Sequence, residues 1–535
     1  MSRSKTKKHA RPAAQSSAQP AEPAQEAREP RPPVEAASEP DATMQWLADA
    51  PAVVAALYLI VLLYVFARRV HYPFALEWIE SGLLDEVRWL AGGHNLYVRP
   101  SVDFVPFVYN PLYFWVCGAA SKVLGVSFLT LRLVSALSSL GTLFLLYALV
   151  VKETGSRAAG ILGAGTYAAT YKQTIEFMDI ARVDALFLLL GVAALWVLRT
   201  RPGAWRAKAA ALLVLCFLAK QTGVIFAAPL VLFVLRDEAR GAGGGLARWR
   251  GVPFALAVAV GVGASAWLLD VTSGGWYRFY AFGLTTHHPL VSSMWADFWT
   301  ADVLAHLGGV ALGALFVVLG PSGLPKRERE LWGAALVAAL LTSWSGRLHD
   351  GGWANVLMPA YAILSALFAI AVHAGTTYAW RAAPDVGRRL AVFVSVAAVG
   401  QLAMLAYDPR TVVPSDHDEA AGWRVVAALR AAPGDTFVPT DSYLSVMAGK
   451  RPHLHEMAAD DILSGPPGEV RNRLVEDVGR ALRERRWAMV ITDNDWFADD
   501  VMAGYQRGAD SVGDPTAFYP LSGVHYRPGW IYTPR

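Results

Sequence analysis

Apolar residues in this chain come in long runs separated by short polar connections, and that alternation outlines the molecule before any single residue does. Runs at or near the roughly 17–25 residues that carry a helix across a bilayer fall near 50–67, 128–151, 157–171, 183–199, 207–219, 221–235, 252–269, 301–320, 331–345, 353–374 and 388–406. The pattern predicts a polytopic all-α membrane bundle of about 11 transmembrane helices. One further run, "PFVYNPLYFWVCGAASKVLG" at 106–125, has a brief apolar core, holds Pro106 and Pro111 and has Lys122 near its end. It reads as a helix lying in the membrane interface, where Tyr and Trp belong.

The two ends of the chain differ from its middle. Residues 1–43 are rich in Ala, Pro, Glu, Gln and Ser and nearly lack large apolar side chains, so a disordered tail is expected there. A membrane domain over 44–406 follows. Residues 407–535 contain no spanning run but mix short apolar stretches, "DTFVPT" and "RWAMVIT", with the amphipathic "EVRNRLVEDVGRALRER". That mixture predicts a small α/β domain.

Composition agrees: the chain is 54% hydrophobic and 17% charged, the balance of a membrane-embedded protein. The formal net charge of +4 matters less than its distribution. With 106–125 lying flat, the basic opening "SRSKTKKHAR" shares a side with "VKETGSR", "RTRPGAWRAK", "RDEARGAGGGLARWR", "PKRERE" and "WRAAPDVGRR". The positive-inside rule then puts the N-terminus in the cytoplasm of a plasma (inner) membrane protein and 407–535 outside the cytoplasm. Counting 106–125 as a span would put every later basic loop outside. The first run lies too far in, with no small-residue cleavage site, for a removed leader and reads as an anchor. Two cysteines, Cys117 and Cys216, exclude a disulfide framework and read as packing residues. There is no phosphate loop, no dinucleotide fingerprint, no HExxH, and no basic aromatic face for nucleic acid.

With that topology, the unusual polar residues gather on the outer side. The first outer loop carries Glu77, Glu80, Asp85 and Glu86. Glu77 and Glu80, three apart, share a helix face, solvated or catalytic. Asp85, Glu86 and Arg88 read as a surface charge cluster. Further on stand Asp179, Arg182 and Asp184 in "EFMDIARVDALF", Lys220 in "LAKQTG", His287 and His288 in "LTTHHPL", and Arg347, His349 and Asp350 in "SWSGRLHDGGWAN". Plain roles exist for each: a pair and cap for Arg182 and Asp184, a snorkelling Lys220, loop polarity for the histidines, a Gly turn at 351–352. A transporter places such groups at mid-membrane inside its helices, whereas these collect at one water interface, as in a surface-facing active site.

The order of these segments resembles the GT-C superfamily of integral-membrane glycosyltransferases. It is most similar to glycosyltransferase family 39, with its protein O-mannosyltransferases and lipid A aminoarabinose transferases. "EWIESG" resembles the family's acidic motif after the first span, "AGGHNLY" its G…Y, and "PFVYNPLYFWV" its Pro-Pro-Leu-Tyr-Tyr-Trp stretch. "ARVDALFLLL" resembles A-R-x-D-x-L and "LAKQTG" the family's Leu-x-Lys. The likeness runs well over about 50–240, loosely beyond, and says little about 407–535. Both acidic candidates are Glu where the family commonly has Asp, and Asn110 stands where a Pro, sometimes after Lys, is usual.

The resemblance implies interfacial helices in the first outer loop and inverting transfer of a sugar from a polyprenyl phosphate to a hydroxyl acceptor (lipid, glycan or protein) on the outer face. A hydroxyl needs a positioned carboxylate to take its proton: Glu80 is the preferred base, because "IESG" best matches the acidic-Gly pattern, with Glu77 close behind and Asp184 orienting. The phosphate leaving group needs cations or N–H donors, here Arg347, Lys220 and Arg182, with His349, His288 and Tyr109 as further substrate contacts. No cofactor is assigned; a divalent metal is left open, with Glu77, Glu80 and Asp184 converging on it. The rival readings are a polyprenyl-linked glycolipid transporter or flippase, a ligand-binding membrane receptor, and a lipid-diphosphate-dependent glycan ligase.

Overall fold

The computed structural model describes residues 42–201, 203–241, 249–382, 384–492 and 496–535. The tail expected at 1–43 lies outside the described residues apart from its last two positions, which open the first helix. Eleven helices stand where the eleven apolar runs were read: α1 (Ala42–Arg69), α4 (Phe128–Thr154), α5 (Arg157–Ala169), α6 (Asp184–Thr200), α7 (Arg206–Ala219), α8 (Gly223–Gly241), α9 (Val252–Thr272), α10 (Met294–Leu319), α11 (Lys326–Arg347), α12 (Met358–Arg381) and α13 (Pro384–Ala403). Among the described residues, six of them (α1, α4, α9, α10, α12 and α13) are both long and apolar enough to cross a membrane. Two short helices, α2 (Glu80–Ala91) and α3 (Leu112–Leu124), lie between α1 and α4. At 13 residues, α3 is too short to span a bilayer.

Local sequence sets the helix ends. Gly155, at φ 70°, closes α4 in the left-handed conformation, and Ser156 then caps α5 by accepting from the Ala159 N–H at 3.1 Å. Helix α12 is apolar around its circumference, with Met358–Ile370 buried throughout, so it runs through the bundle centre. Helix α5 is short but made of small residues, and it packs against α1, α4 and α12. A Cβ on Gly165 would come within 2.3 Å of the Ala55 carbonyl oxygen. Large apolar side chains face outward on the rim: Leu57 and Ile60 on α1, Val260 and Trp267 on α9, Leu312 on α10 and Phe393 on α13. That surface is unfavourable in water and suits hydrocarbon. This is a multi-pass membrane protein.

Residues after α13 form the small α/β domain. Its helices are α14 (Asp416–Ala431), α15 (Ser442–Met447), α16 (Glu456–Leu463), α17 (Glu469–Arg483) and α18 (Ala498–Gly504). A four-stranded sheet runs in the order β1-β2-β4-β3: β1 (Thr436–Phe437) pairs parallel with β2 (Met489–Thr492), and β4 (Trp530–Pro534) is antiparallel to β2 and to β3 (Tyr505–Asp510). Both strands read from the sequence are present as β1 and β2. The amphipathic stretch is α17, whose buried Leu474, Val478, Ala481 and Leu482 follow the helical period.

Gly165→Ala should separate α1 from α5 and cost about 1–3 kcal/mol, the usual price of overpacking. Gly263→Ala on α9, where a Cβ meets nothing within 4 Å, should be neutral or slightly stabilising. Thermal midpoints in detergent check the pair.

Candidate active site

Chain turns at one end of the bundle, between α1 and α4 and between α5 and α6, meet the C-terminal domain, and the carboxylates of the first loop lie between them. All four are buried: Glu77 is 1% exposed, Glu80 0%, Asp85 7% and Glu86 1%. The surface cluster expected for Asp85, Glu86 and Arg88 is therefore corrected. Asp85 accepts from the Ser442 hydroxyl of α15 as well as from Arg88. Burial, partly offset by Arg88, pushes Asp85 up to about 7. Glu86 accepts from the Phe107 N–H at 2.6 Å, and burial pushes its carboxyl well above the ordinary range. These two residues dock α2 onto its neighbours.

Glu77 and Glu80 do not share a helix face. Glu77 lies in the turn that leads into α2, and Glu80 opens that helix. Glu80 is saturated: Oε1 accepts from Arg132 Nε at 3.0 Å and the Ala181 N–H at 2.6 Å, and Oε2 from Arg132 Nη2 at 2.7 Å and the Leu76 N–H at 2.6 Å. Burial alone would raise its pKa, but the Arg132 charge and the two backbone N–H groups outweigh it and hold the carboxylate below its usual range. Arg132, itself fully buried, also donates to the carbonyls of Tyr72 and Phe74, each at 2.6 Å. A carboxylate held in this way has neither the basicity nor the open lone pair that a general base requires.

Glu77 has looser contacts. Arg182 Nη1 reaches Oε1 at 3.4 Å and Oε2 at 3.2 Å, and the Ile79 N–H donates to Oε2 at 3.1 Å. Burial pushes Glu77 up to about 7, against the pull of Arg182 and with a push from Glu80. Arg182 donates from Nη2 to the Tyr109 hydroxyl at 2.8 Å and lies over the Tyr109 and Phe177 rings, while its Nε has no partner among the described residues. Burial pushes the Tyr109 phenol up to about 12. The loop of the C-terminal domain at Ser522–Gly523 covers this pair. Ser522 N–H donates to the Leu76 carbonyl at 3.0 Å, and a Cβ on Gly523 would lie 3.0 Å from Glu77 Oε1.

Two residues beyond Arg182, Asp184 opens α6. Its Oδ1 accepts from Lys220 Nζ at 2.5 Å and Asn355 Nδ2 at 3.0 Å, and its Oδ2 has no partner among the described residues. Asp184, Lys220 and Asn355 line a cavity of about 10 Å³, room for roughly one water. The structure thus brings Glu77, Arg182, Tyr109, Asp184 and Lys220 into neighbouring clusters.

Arg347 is already engaged, with Nε 2.8 Å from Asp302 Oδ2, Nη2 3.3 Å from Oδ1, and Nη1 2.5 Å from the Gly352 carbonyl. Its fork braces the 347–352 loop instead of standing open for phosphate. His349 is exposed, and its backbone bridges Leu290, so the two histidine-bearing loops do meet. His288 turns to Asp461 of α16 at 3.1 Å. The three carboxylates proposed for a divalent ion do not converge: Glu77 faces Arg182, Glu80 faces Arg132 and Asp184 faces Lys220. Among the described residues no group of three or more His, Cys, Asp or Glu side chains is arranged to hold a metal. Each acid is already neutralised by a cation that would repel one.

Sequence reading gave no role to Arg132, inside a stretch read as a uniform span, or to Asn355, the last residue of "SWSGRLHDGGWAN". A charge four residues into an apolar run is itself a signal. It also missed Ser522, from a domain to which no site residue had been assigned.

The model of the dolichyl-phosphate-mannose-protein mannosyltransferase family matches residues 106–262, a segment that holds Tyr109, Arg182, Asp184 and Lys220. Among solved structures, ArnT from Cupriavidus metallidurans bound to undecaprenyl phosphate is similar over 90% of this chain and 97% of that one, at 13% identity and a TM-score of 0.57. The apo state of the same protein is similar over 89% of this chain and 97% of that one, at 12% identity and a TM-score of 0.56. No curated protein matches the sequence. These likenesses show that this chain shares the fold of ArnT.

Glu80→Gln should break the buried pair, leave Arg132 with an uncompensated charge and cost about 3–5 kcal/mol. The expected result is a clear drop in thermal midpoint; a midpoint equal to wild type would contradict the anchoring role.

Proposed function

We propose that this protein is an inverting glycosyltransferase that moves a sugar from a polyprenyl-phosphate donor to a hydroxyl acceptor at the outer membrane face. The observation that carries the reading is the fully buried Glu77 carboxylate, held 3.2 Å from Arg182 Nη1 and pushed up to about 7 by its burial. An acceptor hydroxyl gives up its proton as its oxygen attacks the anomeric carbon. A carboxylate with a pKa near the working pH takes that proton best. The bond from that carbon to the phosphate oxygen breaks on the opposite side, and the charge develops on phosphate. Arg182 and Lys220 supply cations there, and Asp184 with Asn355 orients Lys220. Glu77 therefore replaces Glu80 as the base, and Arg347 is a brace for the loop instead of the phosphate fork. The likeness to a protein solved with undecaprenyl phosphate bound supports a polyprenyl donor. The transporter rival leaves a carboxylate tuned to neutrality without a specific task, whereas the ligase differs from this reading only in its diphosphate leaving group.

Glu77→Gln should keep the fold and lower transfer by about 10²–10⁴-fold. Turnover by purified Glu77→Gln near the wild-type rate would sink the assignment. In the wild type the base must be deprotonated, so kcat/KM should be flat above pH 7 and fall about tenfold per unit below it. A plateau extending down to pH 5 would exclude Glu77.

The proposed orientation has its own test. Single cysteines at 349 and in 407–535 should react with an impermeant reagent from outside, and those at 203 and 326 from inside only. Outside labelling at 203 would invert the orientation.

A further inference from the structure

The far end of the same bundle holds a polar cleft that the transfer reaction does not use. It measures about 540 Å³ and is lined by the ends of α4, α6, α8 and the starts of α7 and α11, together with Arg250 just before α9. Its position follows from helix length. Arg132 and Lys152 stand twenty residues apart on α4, about 30 Å at 1.5 Å per residue, the thickness of a bilayer's hydrocarbon core. The cleft therefore lies at headgroup depth in the leaflet opposite the candidate active site.

Its charges are partly committed. Arg199 makes a two-pronged contact with Glu153, at 2.5 and 2.9 Å, and Trp332 Nε1 holds the same carboxylate at 3.0 Å. Arg206 pairs with Glu238, and Arg327 with Asp237 at 3.0 Å. Those pairs fix the walls. Lys152 and Arg250 also line the cleft, and neither has a carboxylate partner among the described residues. Helix dipoles roughly cancel there, because three C-termini (α4, α6, α8) face three N-termini (α7, α9, α11). The two unpaired cations set the sign. Trp205 and Trp249, 41% and 55% exposed, stand at this same end, as indoles do at headgroup level.

We infer that this cleft binds the phosphate group of an anionic phospholipid of the opposite leaflet, with Lys152 and Arg250 as its principal contacts. Phosphate is the recognised chemistry, since two cationic side chains converge on a polar recess that rigid ion pairs hold open. A lipid is the source the position favours, since the recess lies at the membrane surface beside exposed indoles and apolar helix flanks. Neither cation touches the groups around Glu77, so the binding is separable from transfer.

The test is native mass spectrometry of the full-length protein in neutral detergent, titrated with phosphatidylglycerol, with phosphatidylcholine and, separately, with inorganic phosphate. Phosphatidylglycerol should be retained in preference to phosphatidylcholine. Lys152→Gln/Arg250→Gln should weaken its binding on the order of 30-fold, the loss expected for two surface cations. Lys152→Arg/Arg250→Lys should keep it. Equal retention of the two lipids, or undiminished phosphatidylglycerol binding by the Gln variant, would overturn the inference. Displacement of the lipid by inorganic phosphate at comparable concentration would overturn the lipid source. Equal thermal midpoints of the variants in phosphatidylcholine confirm that folding is not what was measured.

Discussion

The buried pair between Arg132 and Glu80 is the contact on which the rest of this end of the molecule depends. Both side chains are fully excluded from solvent. Burying two charges is costly unless every lone pair and proton finds a partner. Here Glu80 collects four donors, and Arg132 spends its remaining protons on backbone carbonyls just past the end of α1. One ion pair thereby joins the exit of α1, the start of α2, the start of α4 and the chain before α6. Glu77 and Arg182 owe their meeting to that clasp, since each lies within a few residues of an atom it holds: Leu76 on one side, Ala181 on the other.

The C-terminal domain completes the same construction from above. His455 Nε2 donates to the Ser81 hydroxyl at 2.7 Å, and burial lowers this imidazole to about 4, so it stays neutral at working pH. Ser522 donates to Glu176 Oε2 at 2.7 Å. It thereby steadies a turn in which Ile175 and Glu176 both take left-handed backbone angles, costly for side chains of that kind. Exclusion of water by this roof is what raises Glu77 toward neutrality. The domain closes over the candidate site.

The spans were legible in the sequence because hydrocarbon imposes a run length that composition alone reveals. The amphipathic period of α17 and the two short strands β1 and β2 were legible for a similar reason. The division of labour between Glu77 and Glu80 was not. It depends on where Arg132 and Arg182 point across gaps of 52 and 105 residues, and spacing within one loop carries no record of that. The same holds for Arg347, which suits phosphate by chemistry but is occupied by Asp302, a partly buried residue at the start of an apolar run. A motif fixes which residue types are present; only packing decides which of them keeps a free lone pair.

The central claim is that Glu77, not Glu80, is the carboxylate poised to exchange a proton. Difference infrared spectroscopy of wild type against Glu77→Gln isolates the titration of that one group from its buried neighbours. The account predicts a protonated-carboxyl band that disappears with a midpoint near pH 7 and is missing from the variant. A Glu77 band titrating in the ordinary range near 4–4.5, or a band near 7 that survives in Glu77→Gln and vanishes in Glu80→Gln, would contradict it.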